Sequence, residues 1–524
     1  MQLTTEKVVF IVFFFVFMLA LVYSVSASEI SPPTLIGESN ESSLSGKIGN
    51  GNEETPGEWY AGLVPSNPIP NAPVILFVPG LNNVAQIFWE DNDMYQTALD
   101  AGYQTAFVQL YDAGGASATM WDNGELLAEK IREISTHFDR PVTIVAYSKG
   151  GVDSQTALTY YGAWQYVDNV ITLSSPHHGS QLADLAYSSP VEWLADLLGA
   201  QGDGTYALQM GYMENFRSEM DNQPLAYHNN YYTLGGTGWG FIFSSTWFGG
   251  MYLSQFGSND GVVTSGSSSL PGGHQLAVED WNHISIRTGE SFASFENYLM
   301  ENDTINNLAT STKSTELPTP SVNQWITGGQ LVNKGRFTTT VSVENDVREL
   351  SLHLMTSNKL SEINLIDPDG KEINLDVTTT ENAEGIFAGS ISHVSFIEKP
   401  KAGDWKLELI TNQEDAFVLM ADYKTTPKII RNSKLEFNEN QKNTYNLKAI
   451  PETVQENTLQ ATYHVTESGT DHTKTYRTTG KADLSENLTF VNKGKVYNIT
   501  IEINGLTKEG EPFTRTIVDS VYVD

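Results

Sequence analysis

Through residues 58–302, short runs that are apolar at every position alternate with longer stretches in which apolar residues recur every three or four. The first pattern suits a strand buried on both faces and the second a helix with one covered face. PVILFVP (73–79), TAFVQL (105–110), PVTIVA (141–146), NVITLS (169–174) and YYTL (231–234) predict strands. Residues 87–101 read as a helix stopped by Gly102, and residues 124–138 as an amphipathic helix with Leu126, Leu127, Ile131 and Ile134 on one face. Residues 151–161 read as a third helix, carrying Val152, Ala157, Leu158 and Tyr161 on one face, and residues 290–300 as a last one. Such alternation specifies a mostly parallel sheet with helices on both faces, whose ligands bind at the carboxyl ends of the strands.

The pattern changes at the stretch 303–323, which is rich in Thr, Ser, Asn and Pro and reads as a linker. Beyond it, short alternating strands are separated by turns such as DPDG (367–370) and KPKAGD (399–404). Two β-sandwich-like modules are expected, over residues 324–426 and 427–524, with ADYKTTP (421–427) at their boundary and VYNITIEI (496–503) as the clearest strand of the second. At the other end, residues 8–23 are an unbroken apolar run behind Lys7, followed by the small residues VSA (25–27). Residues 1–27 therefore read as a cleaved signal peptide rather than an anchor, with a polar segment over 28–57 behind it.

Charge sharpens the division. Residues 28–310 carry 7 Lys and Arg against 32 Asp and Glu, whereas residues 311–524 carry 22 against 30. The net charge of -33 argues against nucleic acid as a partner. The chain has no cysteine, which excludes disulfides, thiolate metal sites and a cysteine nucleophile. Export without disulfides suits an extracellular protein of a Gram-positive bacterium.

The candidate chemistry lies in PVTIVAYSKGG (141–151), an apolar strand ending on a serine among small residues. A sharp strand-to-helix turn there would lift the Ser148 hydroxyl clear of the sheet toward a base. If Ser148 is a nucleophile, an acid and then a histidine should follow it in sequence. His283, in WNHISI (281–286), precedes the last predicted helix and is preferred over His274, an exposed loop residue in PGGH (271–274), and over His228. Asp260, in SNDGVV (258–263), is the carboxylate placed to orient it; Glu279 and Asp280 are rivals too close to His283 in sequence to reach its far nitrogen easily. The oxyanion requires two backbone N–H donors, for which Lys149, after the serine, and Leu81, in the loop after the first strand, are the candidates.

Four segments together resemble bacterial secreted lipases of the α/β-hydrolase fold: FVPGL (77–81), AYSKGG (146–151), LSSPHHGS (173–180), and SNDGV (258–262) with WNH (281–283). The resemblance covers roughly residues 58–300 and implies a serine ester hydrolase without a cofactor. His177 and His178 are then structural loop residues. The chain departs from the usual pattern at Ala146, where a glycine is common, and at Pro79, where a histidine is usual. Ser285 stands where many relatives carry a calcium-binding aspartate, which argues against a calcium site of that kind and leaves no metal expected. TGWGFIFSSTWFGGMY (237–252) is aromatic and glycine-rich and suits either a lid over an acyl groove or ordinary core packing.

The function expected is hydrolysis of carboxylic esters, of triacylglycerol or other lipids. A polyester depolymerase of the polyhydroxyalkanoate type uses the same chemistry, with the C-terminal modules binding the polymer or another surface. An adhesive protein with an inactive hydrolase domain is the alternative from another class. Loss of activity in Ser148→Ala separates the enzymes from the last.

Overall fold

The computed structural model describes residues 30–39, 54–114, 117–240, 244, 246–300, 322–331, 335–373, 377–382, 385–431 and 443–524. The expected signal peptide and most of the linker lie outside the described residues. Among the described residues no helix is long and apolar enough to cross a membrane.

The first unit is an eight-stranded sheet in the order β1-β2-β4-β3-β5-β6-β7-β8. Its strands are Thr34–Gly37 (β1), Trp59–Ala61 (β2), Val74–Val78 (β3), Thr105–Val108 (β4), Val142–Tyr147 (β5), Val167–Leu173 (β6), Asn230–Gly236 (β7) and His274–Glu279 (β8). Strands β3 to β8 pair in parallel, and β1 and β2 add an antiparallel edge. Every residue of β3 and β5 is buried, as two covered faces require. One face packs Leu127, Ile131, Ala157 and Leu158 from the helices Met120–Phe138 and Lys149–Tyr160. The other packs Phe88, Met94, Tyr95, Phe292 and Phe295.

Local chemistry explains where the elements depart from the periodicity. The helix Met120–Phe138 begins four residues before the expected 124, because Thr119 and Asp122 form a reciprocal capping box. It ends on Asp139 in the left-handed conformation. The helix expected over 87–101 is instead a 3-10 turn, Ala85–Phe88, and a short helix, Met94–Asp100. Asp91, at φ 49°, breaks the run, and the Asn92 side chain accepts the Met94 N–H to start it again. The helix expected over 290–300 is only a single α-turn, Phe292–Phe295, between 3-10 turns. His274 is not in an exposed loop but opens β8, where the chain leaves the PGG turn and rejoins the sheet edge. The polar segment 28–57 holds β1, which forms the opposite edge of the sheet beside β2.

Between β6 and β7 four helices, Gln181–Ala186, Glu192–Leu197, Asp203–Ala207 and Met210–Met220, stand above the carboxyl ends of the strands. They carry the C-terminal half of the chain. Its first module is a sandwich. One sheet runs Thr378–Glu381, Ile391–Glu398, Glu349–Thr356, Asp415–Tyr423, Gln324–Leu331, and the other Gly335–Val343, Gly403–Thr411, Glu362–Ile366, Glu372–Ile373. Leu350, Leu352, Leu354, Leu407 and Leu409 fill the space between the sheets. The second module centres on four antiparallel strands, Thr473–Thr479, Gln460–Glu467, Lys495–Leu506 and Pro512–Val523.

The outer face of the five-stranded sheet is covered at its centre. Met355, Val418 and Met420 join one continuous apolar cluster with Leu182, Leu185, Leu194, Phe216 and Phe248 of the first unit. Polar contacts fix the second module to the same helices: Asn498 Nδ2 donates to the Asp184 carbonyl at 2.7 Å, and the Gly211 N–H donates to Ser520 Oγ at 2.8 Å.

Candidate active site

Strand β5 ends at Tyr147, and the helix Lys149–Tyr160 begins two residues later, so Ser148 alone must turn the chain. It does so at φ 53°, ψ -132°, a conformation that non-glycine residues rarely adopt. The turn closes because its neighbours are small. A Cβ on Gly150 would lie 2.4 Å from the Pro79 carbonyl oxygen, and one on Gly80 would lie 2.7 Å from the Ser148 Cβ. The loop after β3 and the start of the helix can therefore approach only as glycines. Pro79, the departure from the usual histidine, takes part through its carbonyl and does not disturb this approach.

The structure brings Ser148, His283 and Asp260 into one hydrogen-bonded line. His283 Nε2 lies 3.1 Å from Ser148 Oγ, and His283 Nδ1 lies 2.6 Å from Asp260 Oδ2. All three are buried. Asp260 arrives in the loop after β7, His283 in the loop after β8, and the His283 N–H donates to the Asp260 carbonyl at 2.9 Å, which ties the two loops together. Asp260 itself is held from two sides. Its Oδ1 accepts the N–H groups of Val262 and Val263 at 2.9 and 2.7 Å. Its Oδ2 accepts the Ser174 hydroxyl at 2.5 Å. A carboxylate so bound is fixed in place, where it can stabilise a positive charge on the His283 ring.

The sequence assigns Ser174 no role, although it ends a strand run and stands in LSSPHHGS (173–180). Its role arises because β6 ends beside β7, with the Ser174 N–H donating to the Leu234 carbonyl at 2.9 Å. Tyr147 is a second such residue. Its ring packs against the His283 imidazole at 5.0 Å between centroids, and the Arg287 guanidinium lies 5.0 Å from the same ring on its way to the tyrosine hydroxyl. The rival carboxylates, Glu279 and Asp280, form no bond to His283 among the described contacts.

Lys149 opens the helix, so its N–H has no carbonyl one turn behind it to bond. The Leu81 N–H has no acceptor among the described residues. These two candidate donors sit on the segments that Gly80 and Gly150 bring together. The Lys149 side chain points the other way, into the protein. Its ammonium lies 3.0 Å from Asp153 and 3.3 Å from Asp112, all three being buried. Burial opposes the ammonium, but the two carboxylates outweigh it and raise its pKa above the usual lysine value. Burial pushes Asp153 up to about 7, with Lys149 opposing the rise.

The remaining histidines stand apart. His177 is fully buried with Nε2 at 3.2 Å from Thr172 Oγ1, and burial holds its pKa well below the ordinary value. His228 packs edge-on against Trp164. Ser285 accepts the Asn282 N–H through its hydroxyl, a local turn contact.

Above Ser148 is a cleft of about 860 Å³, counting its open mouth. Leu81, Leu182, Leu208, Phe248 and Val262 line it from the first unit, so its walls are mainly apolar. The aromatic segment contributes in both of the ways its composition allowed: Phe248 lines the cleft, while Met251, Tyr252 and Leu253 of the helix Trp247–Leu253 are core. Residues 241–243 and 245 lie outside the described residues. The first β-module supplies the opposite wall with Met355, Asn382, Gly385, Ile386 and Phe387. Phe248 and Phe387 meet edge to face at 5.9 Å across this boundary.

A serine within hydrogen-bond reach of a histidine beneath an apolar cleft, with the Leu81 and Lys149 N–H groups on the adjoining segments, has the parts for acyl transfer to water. Comparison with protein-family models and with curated protein sequences gives no match. Among solved structures, the chain is similar to the propeptide form of the Bacillus licheniformis lipase BlEst2, with 34% identity, a TM-score of 0.74, and coverage of 90% of this chain and 98% of that one. The mature form of the same lipase aligns with 45% identity over 47% of this chain and 100% of that one, at a TM-score of 0.45. A metagenomic carboxyl esterase, MGS0156, aligns with 19% identity over 54% of this chain and 89% of that one, at a TM-score of 0.36. With a third of its residues shared over nearly the whole length of the propeptide form, the chain belongs to the family of that lipase and is a carboxylic ester hydrolase of the α/β-hydrolase fold.

Proposed function

We propose that the chain is a secreted lipase or esterase in which Ser148 attacks the ester carbonyl. His283 takes the serine proton and returns it to the leaving alcohol, and Asp260 holds the imidazole in the tautomer that accepts at Nε2. The N–H groups of Leu81 and Lys149 bind the oxyanion of the tetrahedral intermediate. Collapse of that intermediate leaves an acyl-serine, which water hydrolyses by the same proton transfers in reverse order. The observation that carries this reading is the line from Asp260 Oδ2 through His283 to Ser148 Oγ, at 2.6 and 3.1 Å, at the floor of an apolar cleft. The apolar walls favour the acyl chains of lipid esters. Purified wild type and Ser148→Ala are assayed on chromogenic esters of graded chain length. The reading expects activity in the wild type alone, with Ser148 as the site of fluorophosphonate labelling; equal rates from both proteins would overturn it.

One observation adds a second element. The β-module wall formed by Met355, Ile386 and Phe387 stands directly over the cleft that an ester must enter. The similar lipase was solved in a propeptide form. The C-terminal modules are then a propeptide whose first module roofs the cleft until it is removed. Limited proteolysis followed by assay on a long-chain ester tests this: activity is expected to rise as the modules are lost, and a steady or falling rate would contradict it.

A further inference from the structure

The buried side chain of Lys149 and its partners take no direct part in the proton transfers, yet they join the two halves of the oxyanion site. Asp112, in the turn Tyr111–Gly114 after β4, accepts the Asn82 N–H through Oδ1 at 3.3 Å. Its other oxygen faces Lys149 Nζ at 3.3 Å and accepts Asn123 Nδ2 at 2.5 Å. Asn123 also donates to Asp153 Oδ2 at 2.9 Å and accepts the Tyr111 N–H at 3.2 Å. Asp153, in turn, lies 3.0 Å from Lys149 Nζ. Four separate segments thus converge on one buried group: the loop after β3, the turn after β4, the helix Met120–Phe138 and the helix behind Ser148.

Asp112 faces the two elements that carry the candidate donors. Asn82 follows Leu81 directly, and Lys149 carries the second donor on its own backbone. Asn82 is in the left-handed region at φ 55°, so the loop after β3 is held in an uncommon conformation where Asp112 grips it. Oxyanion stabilisation depends on donors that are already aimed when charge develops, and a loop free to shift by a fraction of an ångström loses part of that benefit.

We propose that Asp112 is a positioning residue for the oxyanion site, clamping the Leu81–Asn82 loop to the Lys149 end of the helix through its two carboxylate oxygens. The proposal rests on the reading of Leu81 and Lys149 as oxyanion donors. It assigns Lys149 two separate tasks, one to its N–H and one to its ammonium. The position after the nucleophile is then a lysine because only a long cation reaches the buried carboxylates from there.

The full-length chain is tested as wild type, Asp112→Asn, and the triple variant Asp112→Asn with Lys149→Met and Asp153→Asn, which removes all three buried charges together. On a soluble chromogenic ester, Asp112→Asn is expected to lower kcat by roughly tenfold to a hundredfold while KM stays within about twofold, since only the transition state uses the oxyanion donors. Affinity for a boronic acid, which forms a tetrahedral adduct on the serine, should fall by the same factor. In the triple variant the Tm recovers and kcat does not, because no buried charge is left unpaired while the clamp is still missing. Unchanged kcat in Asp112→Asn, or joint recovery of Tm and kcat in the triple variant, would overturn the proposal. Failure of the underlying reading looks different, because Ser148→Ala would then retain activity.

Discussion

The floor and the roof of the cleft are built on opposite principles. On the floor, Asp260 has both oxygens engaged, by the Val262 and Val263 N–H groups on one and by Ser174 and His283 on the other. On the roof, Met355, Ile386 and Phe387 make only apolar contacts with the first unit, and His353 beside them is buried against Phe248 with neither ring nitrogen hydrogen-bonded. A satisfied buried network specifies one geometry, since each member that moves strands a partner. An apolar contact with an unpaired imidazole beside it specifies contact without direction, and it carries the cost of an orphaned polar group. The floor is therefore suited to hold a reacting geometry within tenths of an ångström, and the roof to cover it and be displaced.

That contrast is sharpest where a floor bond is removed. Asp260→Asn keeps the shape but reverses the polarity toward His283, and kcat should fall on the order of 10⁴-fold. Steady-state kinetics on a short ester checks it; a loss under tenfold would remove Asp260 from its assigned role. Ser174→Ala takes away one hydrogen bond to the same carboxylate. A hydrogen bond to a charged group contributes about 1.5–3 kcal/mol, so a loss of roughly tenfold to a hundredfold in kcat is expected. If the rate is unchanged, the Ser174 hydroxyl does not matter to the aim of Asp260.

Changes to the roof should act in the other direction and less strongly. Phe387→Ala opens the wall opposite Ser148 without touching the floor, and kcat/KM for a long-chain ester should rise about threefold to tenfold. A decrease, with short esters unaffected, would mean that Phe387 binds substrate rather than excludes it.

The smallest effect concerns pH. Burial, with His393 adding to it, lowers the His353 pKa to about 3, so in the unfolded chain it takes up a proton near pH 6.5 but in the folded protein only near 3. The unfolded state thus binds more protons between those values, and the stability that a neutral His353 allows is present above 6.5 and lost as pH falls through the window. Asp184, under the second module, has the opposite sign. Burial raises it to about 7 from an ordinary 3.8, with bonds from Ser520 and the Met210 N–H opposing the rise, so its share of stability is lost as pH rises through that range. Urea midpoints measured at pH 4.5, 6 and 8 should therefore respond in opposite ways: His353→Phe should flatten the acid side and Asp184→Asn the alkaline side. Parallel shifts in both variants would show that neither group governs the roof.

The elements of the first unit were legible where burial is complete. A strand such as VILFV has no polar position to conceal, and Ser148 was legible because only small residues let the chain turn so tightly. The edges were less so. Strand β8 is mostly half-exposed or exposed, so its apolar signal is weak, and it is not among the predicted strands. The helices Gln181–Ala186 and Asp203–Ala207 are too short to show a period. Ser174 and Asp112 belong to residue types common at turns; LSSPHHGS marks the region of the first but not its partner, and nothing in its neighbours marks the second.

By itself, then, the sequence determined the buried strands and the helices beside Ser148, the change from alternating strands and helices to strands alone, and the three residues proposed for acyl transfer. Those follow from local forces: side-chain periodicity, turn sterics and the reactivity of particular groups. What only the tertiary structure decided is which distant groups serve those three. Ser174 meets Asp260 across 86 positions, Asp112 joins the loop after β3 to the helix behind Ser148, and Phe387 comes to stand over a cleft formed more than a hundred residues earlier. Such contacts depend on sheet order and on how the modules dock, and burial in three dimensions, unlike periodicity, leaves no local mark on the chain.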